Sequence, residues 1–179
     1  SGVTQIYSND YVFVALKTDG SVVTWGKSSY GGNSASVSNS LTSGITQIYS
    51  NPSAFAAVKT DGSVVTWGSS SYGGNSSSVA SSLTSGVTQI YSTERAFAAV
   101  KTDGSVVTWG YSSYGGNSSS VASSLTSGVT KIYSQKAVFA ALKSDGSVVT
   151  WGSNSTGGDS SSVASSLTSG VTQIYSNQR

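Results

Sequence analysis

The chain has 179 residues with 9 Lys or Arg against 7 Asp or Glu, a net charge of +2, and only 9% charged residues, far below the roughly 25% of an ordinary globular protein. It contains no Cys, His or Met, which excludes a disulfide framework and His- or Cys-based catalysis and removes the usual ligands of zinc and haem. No apolar run approaches the ~18 residues of a membrane-spanning helix, and the few surplus cations form no basic stripe, so neither a membrane nor a nucleic-acid partner is expected.

Trp-Gly recurs every 42 residues, at Trp25-Gly26, Trp67-Gly68, Trp109-Gly110 and Trp151-Gly152, and its surroundings recur with it. The repeats are residues 1–42, 43–84, 85–126 and 127–168, with a partial fifth at 169–179. A period of this length falls in the window of propeller blades. One repeat alone cannot bury its apolar faces, so the copies must stack into one body. The expected organisation is a single half-ring domain over 1–179. The opening SGVTQIYS has no basic start and no apolar stretch, so no signal peptide is expected.

The second copy, residues 43–84, shows the elements in order. ITQIYS at 45–50, AFAAVK at 54–59 and SVVTWG at 63–68 are short and rich in β-branched and aromatic residues, which predicts three strands. Thr60-Asp61-Gly62 joins the second and third, a hairpin signal present in all four copies. Phe55 and Ala57 alternate with Ala56 and Val58, and Val65 and Trp67 with Val64 and Thr66, so both faces are apolar and both must be covered. The eight aromatic residues Phe13, Trp25, Phe55, Trp67, Phe97, Trp109, Phe139 and Trp151 are therefore the expected core, with the small alanines letting neighbouring blades approach. Next comes the loop SSSYGGNS, turned by Gly73-Gly74. SSVASSLT at 77–84 is read as an irregular outer strand that completes a four-stranded blade, although Val79 and Leu83, four apart, also fit a short helical turn.

FAAVKTDGSVVTWG followed by SYGGN resembles the repeat of RCC1-like β-propellers, an apolar strand, an Asp-Gly turn, a strand ending in Trp-Gly, and a Tyr-Gly loop. Residues 12–26, 54–68, 96–110 and 138–152 carry the resemblance, and VTQIYS is similar to the family's preceding strand. It implies an all-β propeller of four blades per chain. Repeats in that family are usually longer and seven close a ring; here Gly31-Gly32-Asn33 stands where the family has Gln-Leu-Gly. No insertion matches the wedge used for nucleotide exchange, so exchange activity is not carried over. The second and third copies differ at only five positions. That nearness also resembles designed or reconstructed symmetric propellers, and recent duplication in a bacterial repeat protein would leave the same pattern.

Little chemistry is visible. Asp19, Asp61, Asp103 and Asp145 recur as an acidic ring around a cation would require, but each stands before the Gly of a turn, without the D-x-D-x-D-G pattern of a calcium loop. The Gly-Gly pairs lack the Lys-Ser/Thr of a phosphate loop. The four Trp suit sugar stacking in principle, yet their place in two-sided apolar strands favours packing. Three segments, beginning at Asn75, Asn117 and Asn154, fit a glycosylation sequon. What varies on the constant frame is the turn after VTQIYS and the position after Trp-Gly. These give the candidate binding residues Asp10, Tyr11, Lys27, Ser53, Glu94, Arg95, Tyr111, Gln135 and Lys136, expected to cluster on one face of the ring.

The expectation is a non-enzymatic scaffold, without metal or cofactor, whose partner is itself: a homodimer closing one eight-bladed ring. The first alternative is a carbohydrate- or surface-binding module using the variable loops; the second, less favoured, is a hydrolase or lyase with acidic residues near the axis. VTQIYS-type segments occur five times and the other strands four times, so the first and last copies compete for one slot. The N-terminal copy, continuous with Phe13 and its hairpin, is the expected occupant.

Overall fold

The computed structural model describes residues 2–176; residue 1 and the last three residues of the partial fifth repeat lie outside the described residues. Among the described residues twelve strands fall into four antiparallel sheets of three. The first blade is β1 (Val3–Ser8), β2 (Val12–Lys17) and β3 (Val22–Gly26), in that order across the sheet. The second is β4 (Ile45–Asn51), β5 (Ala54–Lys59) and β6 (Val64–Gly68); the third is β7 (Val87–Ser92), β8 (Ala96–Lys101) and β9 (Val106–Gly110). The fourth is β10 (Val129–Ser134), β11 (Val138–Lys143) and β12 (Val148–Gly152).

The hairpin turns form where Asp-Gly predicts them. Gly62 sits at φ 74°, in the left-handed region that Gly enters without a Cβ clash. The Asp61 carboxylate accepts both the Ser63 amide at 2.9 Å and the Ser63 hydroxyl at 2.6 Å. The register then places Phe55 directly opposite Trp67, their rings stacked at 5.3 Å between centroids. Each first strand carries an irregularity at its second residue. There the Thr46 hydroxyl donates to the Val58 carbonyl at 3.1 Å, replacing the ladder bond that the bulge removes.

The blades have three strands each rather than the four expected. The segment read as an outer strand, Ser77–Leu83, is 3-10 helical, as are Ala35–Leu41, Ser119–Leu125 and Ser161–Leu167. The physical reason lies in its flanks. The Asn75 side chain accepts the Ser77 amide at 2.9 Å and opens a helical turn, and the Thr84 hydroxyl bonds back to the Ser81 carbonyl at the other end. Small polar residues that satisfy the backbone locally compete with a ladder. The helical connector leaves its own blade and packs on the outer strand of the next, Ala35–Leu41 on β6 and Ser77–Leu83 on β9.

The core lies between blades. Val12, Val14 and Leu16 of β2, with Leu41 of the connector that follows, pack against Ile45, Ile48, Phe55, Ala57 and Trp67 of the next repeat, and the same set of positions recurs at the second and third junctions. Odd and even residues of β5 thus serve two different junctions, which is why both of its faces had to be apolar. First strands lie beside one another from blade to blade: the Ser50 hydroxyl donates to the Ser8 carbonyl at 3.2 Å and the Ser92 hydroxyl to the Ser50 carbonyl at 2.9 Å.

Candidate functional site

Every internal junction is built on one glycine and two aromatic rings. Gly31 turns at φ 103°, and a Cβ there would stand 2.7 Å from the Phe55 ring. Only a residue without a side chain lets the ring seat at this place. The Trp67 indole N–H then donates to the Gly31 carbonyl at 3.1 Å. Trp109 repeats the bond to Gly73 and Trp151 to Gly115, each at 3.0 Å. The buried indole is satisfied and the blade-to-blade spacing fixed by a single contact.

At the two ends of the chain this junction is open. Trp67, Trp109 and Trp151 are each 2% exposed, whereas Trp25 is 45% and Phe13 49% exposed. These two residues of the expected core have no preceding blade to cover them, so within one chain they form a surface. Val3, Ile6 and Val23 are exposed beside them, and the blade presents an apolar face. At the other end Gly157, the counterpart of Gly31, has nothing within 4 Å of where its Cβ would lie. Head and tail carry the two complementary halves of a contact that the chain makes three times internally.

The variable residues divide into two groups. Across the mouths of blades two to four runs a cleft of about 480 Å³, lined by Asn51, Pro52, Thr93, Glu94, Gln135 and Lys136 among others. Glu94 and Lys136 meet across it, by an ion pair at 3.8 Å and by the Glu94 amide donating to the Lys136 carbonyl at 3.0 Å. Ser53 does not belong there: it is 2% exposed, because its amide is held by the Asn51 side chain, which also caps the Tyr72 carbonyl. Asn51 is thus a fixed part of the frame rather than a free loop residue, and Thr93 takes its place through its hydroxyl, bonding the Tyr114 carbonyl at 2.8 Å.

The second group is aromatic. The two variable spots of a blade are joined directly, since the amide of Lys27 donates to the Tyr11 carbonyl and that of Tyr111 to the Arg95 carbonyl. Lys27 lies over the rings of Tyr11 and Tyr30 at 5.1 and 4.5 Å. The Arg95 guanidinium lies over Tyr72, Tyr111 and Tyr114 at 5.0, 5.9 and 5.1 Å, with its Nε buried and without a hydrogen-bond partner. Tyr30, Tyr72 and Tyr114 were not among the sequence candidates; they are constant in the first three repeats and so gave no sign of meeting variable cations. Asp10 is exposed.

The turn carboxylates are committed to the fold. Hydrogen bonds from the Ser21 hydroxyl and amide, with Lys17 nearby, hold Asp19 down at about 2. The equivalent serines lower Asp61, Asp103 and Asp145 in the same way. Among the described residues no group of three or more acidic side chains is arranged to hold a metal.

No protein-family model matches the chain, and no curated protein matches it. Solved structures do. Human WBSCR16 superposes with a TM-score of 0.53 and 22% identity over 85% of this chain and 48% of its own. Prp20p of Saccharomyces cerevisiae superposes at 0.55 with 13% identity, over 84% of this chain and 45% of its own; it is the yeast RCC1 also solved bound to Kap60. The computationally designed protein Ika4 aligns at 0.44 with 14% identity over 86% of this chain and 92% of its own. The chain has the fold of the RCC1-type β-propeller, and it spans about half the length of the first two of these structures.

Proposed function

We propose that this chain is a non-enzymatic propeller scaffold that closes head to tail on a second copy, residues 1–179 forming half of an eight-bladed ring with two-fold symmetry. The observation that carries the reading is the unfilled junction: Trp25 half exposed at one end and Gly157 uncontacted at the other, where three internal copies of the pair are buried and bonded. A head-to-tail contact gives a closed ring when its rotation divides the circle and a filament when it does not. Here the contact repeats the internal one, so each added blade turns by the internal step. Eight blades lie at the upper end of ordinary propellers.

Association through this face takes the fourth indole out of water. Concentrating the chain is expected to shift its tryptophan emission to the blue, and the Trp25→Phe variant is expected to lose most of that shift. Emission independent of concentration in a sample that nevertheless assembles would place the contact elsewhere.

A further inference from the structure

Residues 171–176, the fifth copy of the Val-Thr-Gln-Ile-Tyr-Ser segment, form no strand ladder, yet they are already seated on the last blade. The Val171 amide donates to the Gly146 carbonyl at 3.0 Å. The same bond begins each internal blade: Ile45 to Gly20 at 3.1 Å, Val87 to Gly62 and Val129 to Gly104 at 3.0 Å. Val171 and Ile174 are partly buried, whereas their counterparts in β1, Val3 and Ile6, are exposed. Ile174 and Tyr175, with Tyr133, Val138, Ala140 and Gly157, wall a cavity of about 130 Å³. At the first junction the equivalents Tyr7, Val12, Val14, Gly31 and Ile48 surround Phe55. The cavity is a phenylalanine socket that holds no phenylalanine.

The two end copies are therefore half-satisfied in opposite ways. β1 has its ladder, five register pairs with β2, but no apolar cover. Residues 171–176 have cover but no ladder. A seam made with a second copy holds one first strand, and either choice ends with one ladder and one covered face. The turn decides between them. Asn9 donates from its backbone to the Val12 carbonyl at 3.1 Å and from its side chain to the Tyr30 carbonyl at 3.2 Å, and accepts the Tyr11 amide at 3.0 Å. Those bonds depend on the turn that keeps β1 continuous with β2.

Resting on the head-to-tail reading, we infer that residues 171–176 are a resident competitor for the docking seat: the incoming copy brings Phe13 into the socket and its own β1 into the seat, and the C-terminal segment is expelled. The segment thus weakens and slows association while shielding the tail of the free chain.

The test uses the full-length chain with Ile174→Asp, and Ile174→Ser as a milder variant, compared with wild type by light scattering and stopped-flow mixing. The expected result is an assembly of unchanged mass that forms faster and more tightly, by about tenfold for each 1.4 kcal/mol of seating removed. Hydrogen exchange should show the Val171 amide, bonded to the Gly146 carbonyl in the free chain, less protected in the wild-type assembly. Loss of assembly in the Ile174 variants, with wild type still assembled, would make the C-terminal copy the clasp and overturn the inference while leaving the head-to-tail reading intact. Unchanged affinity and rate would overturn it equally. Wild type and variants all monomeric would fail the head-to-tail reading itself.

Discussion

The indole of Trp67 is hydrogen-bonded to the carbonyl of Gly31, 36 residues earlier and one blade back, at 3.1 Å. This bond ties the stacked Phe55–Trp67 pair of one blade to the loop of its predecessor, so the residue that finishes a hairpin also fixes the angle to the next one. The three internal junctions rest on this contact, and the proposed head-to-tail association would repeat it across a seam.

Trp109→Ala removes a fully buried ring and should destabilise the chain by about 3–5 kcal/mol. Trp25→Ala, at the uncovered end, should cost the dilute free chain about 1 kcal/mol or less. Urea unfolding of the two variants against wild type, at a concentration below association, checks the contrast. Equal losses would mean that Trp25 is already covered in the free chain.

Gly73 and Gly157 both adopt positive φ, at 89° and 102°, but a Cβ on Gly73 would lie 2.7 Å from the Phe97 ring and one on Gly157 would meet nothing. Gly73→Ala is therefore expected to be the more destabilising by about 1–3 kcal/mol, the cost of overpacking beyond the shared backbone strain. Thermal melts of the two variants give the difference directly.

Phe13→Asp places a charge on the face that would enter the socket. It should abolish association and leave the melting temperature of the free chain nearly unchanged, since Phe13 is half exposed there. Light scattering and calorimetry on one sample separate the two effects.

The turn aspartates predict an acid limb. Their folded-state pKa values are depressed by serine hydrogen bonds, Asp19 to about 2. Such a group contributes stability that is present above its unfolded pKa near 4 and is lost as pH falls through the folded value. The melting temperature should be flat from neutral pH to about 5 and fall between about 4 and 2. Replacing the four partner serines Ser21, Ser63, Ser105 and Ser147 by alanine should weaken that fall.

The hairpins and the two-sided core were legible because their signals are local: Asp-Gly sits at the turn, and alternation along residues 54–68 assigns each face. The third element of the repeat was not, because Val79 and Leu83 share a face in a strand and in a helical turn alike. Side-chain bonds from Asn75 and Thr84 settled it, and these are invisible to periodicity. The variable turn was readable as a surface in Glu94, Gln135 and Lys136, which line one cleft. Ser53 is buried within the same turn, its amide held by the Asn51 side chain, and sequence variability alone does not separate such a position from an exposed one. The ring cluster around Arg95 escaped because Tyr72 reaches it from the preceding repeat. The openness of the end blades needs the path of the whole chain: Phe13 and Phe55 occupy the same repeat position, and only the presence of a preceding blade distinguishes them.

The mass of the wild-type chain in solution tests the head-to-tail scaffold most directly. Light scattering or native mass spectrometry across a concentration series is expected to converge on two chains, twice the 18.1 kDa of one, with no growth beyond that species because both ends are then used. A single 18.1 kDa chain at every concentration, or assemblies that keep lengthening, would contradict the closed two-chain ring.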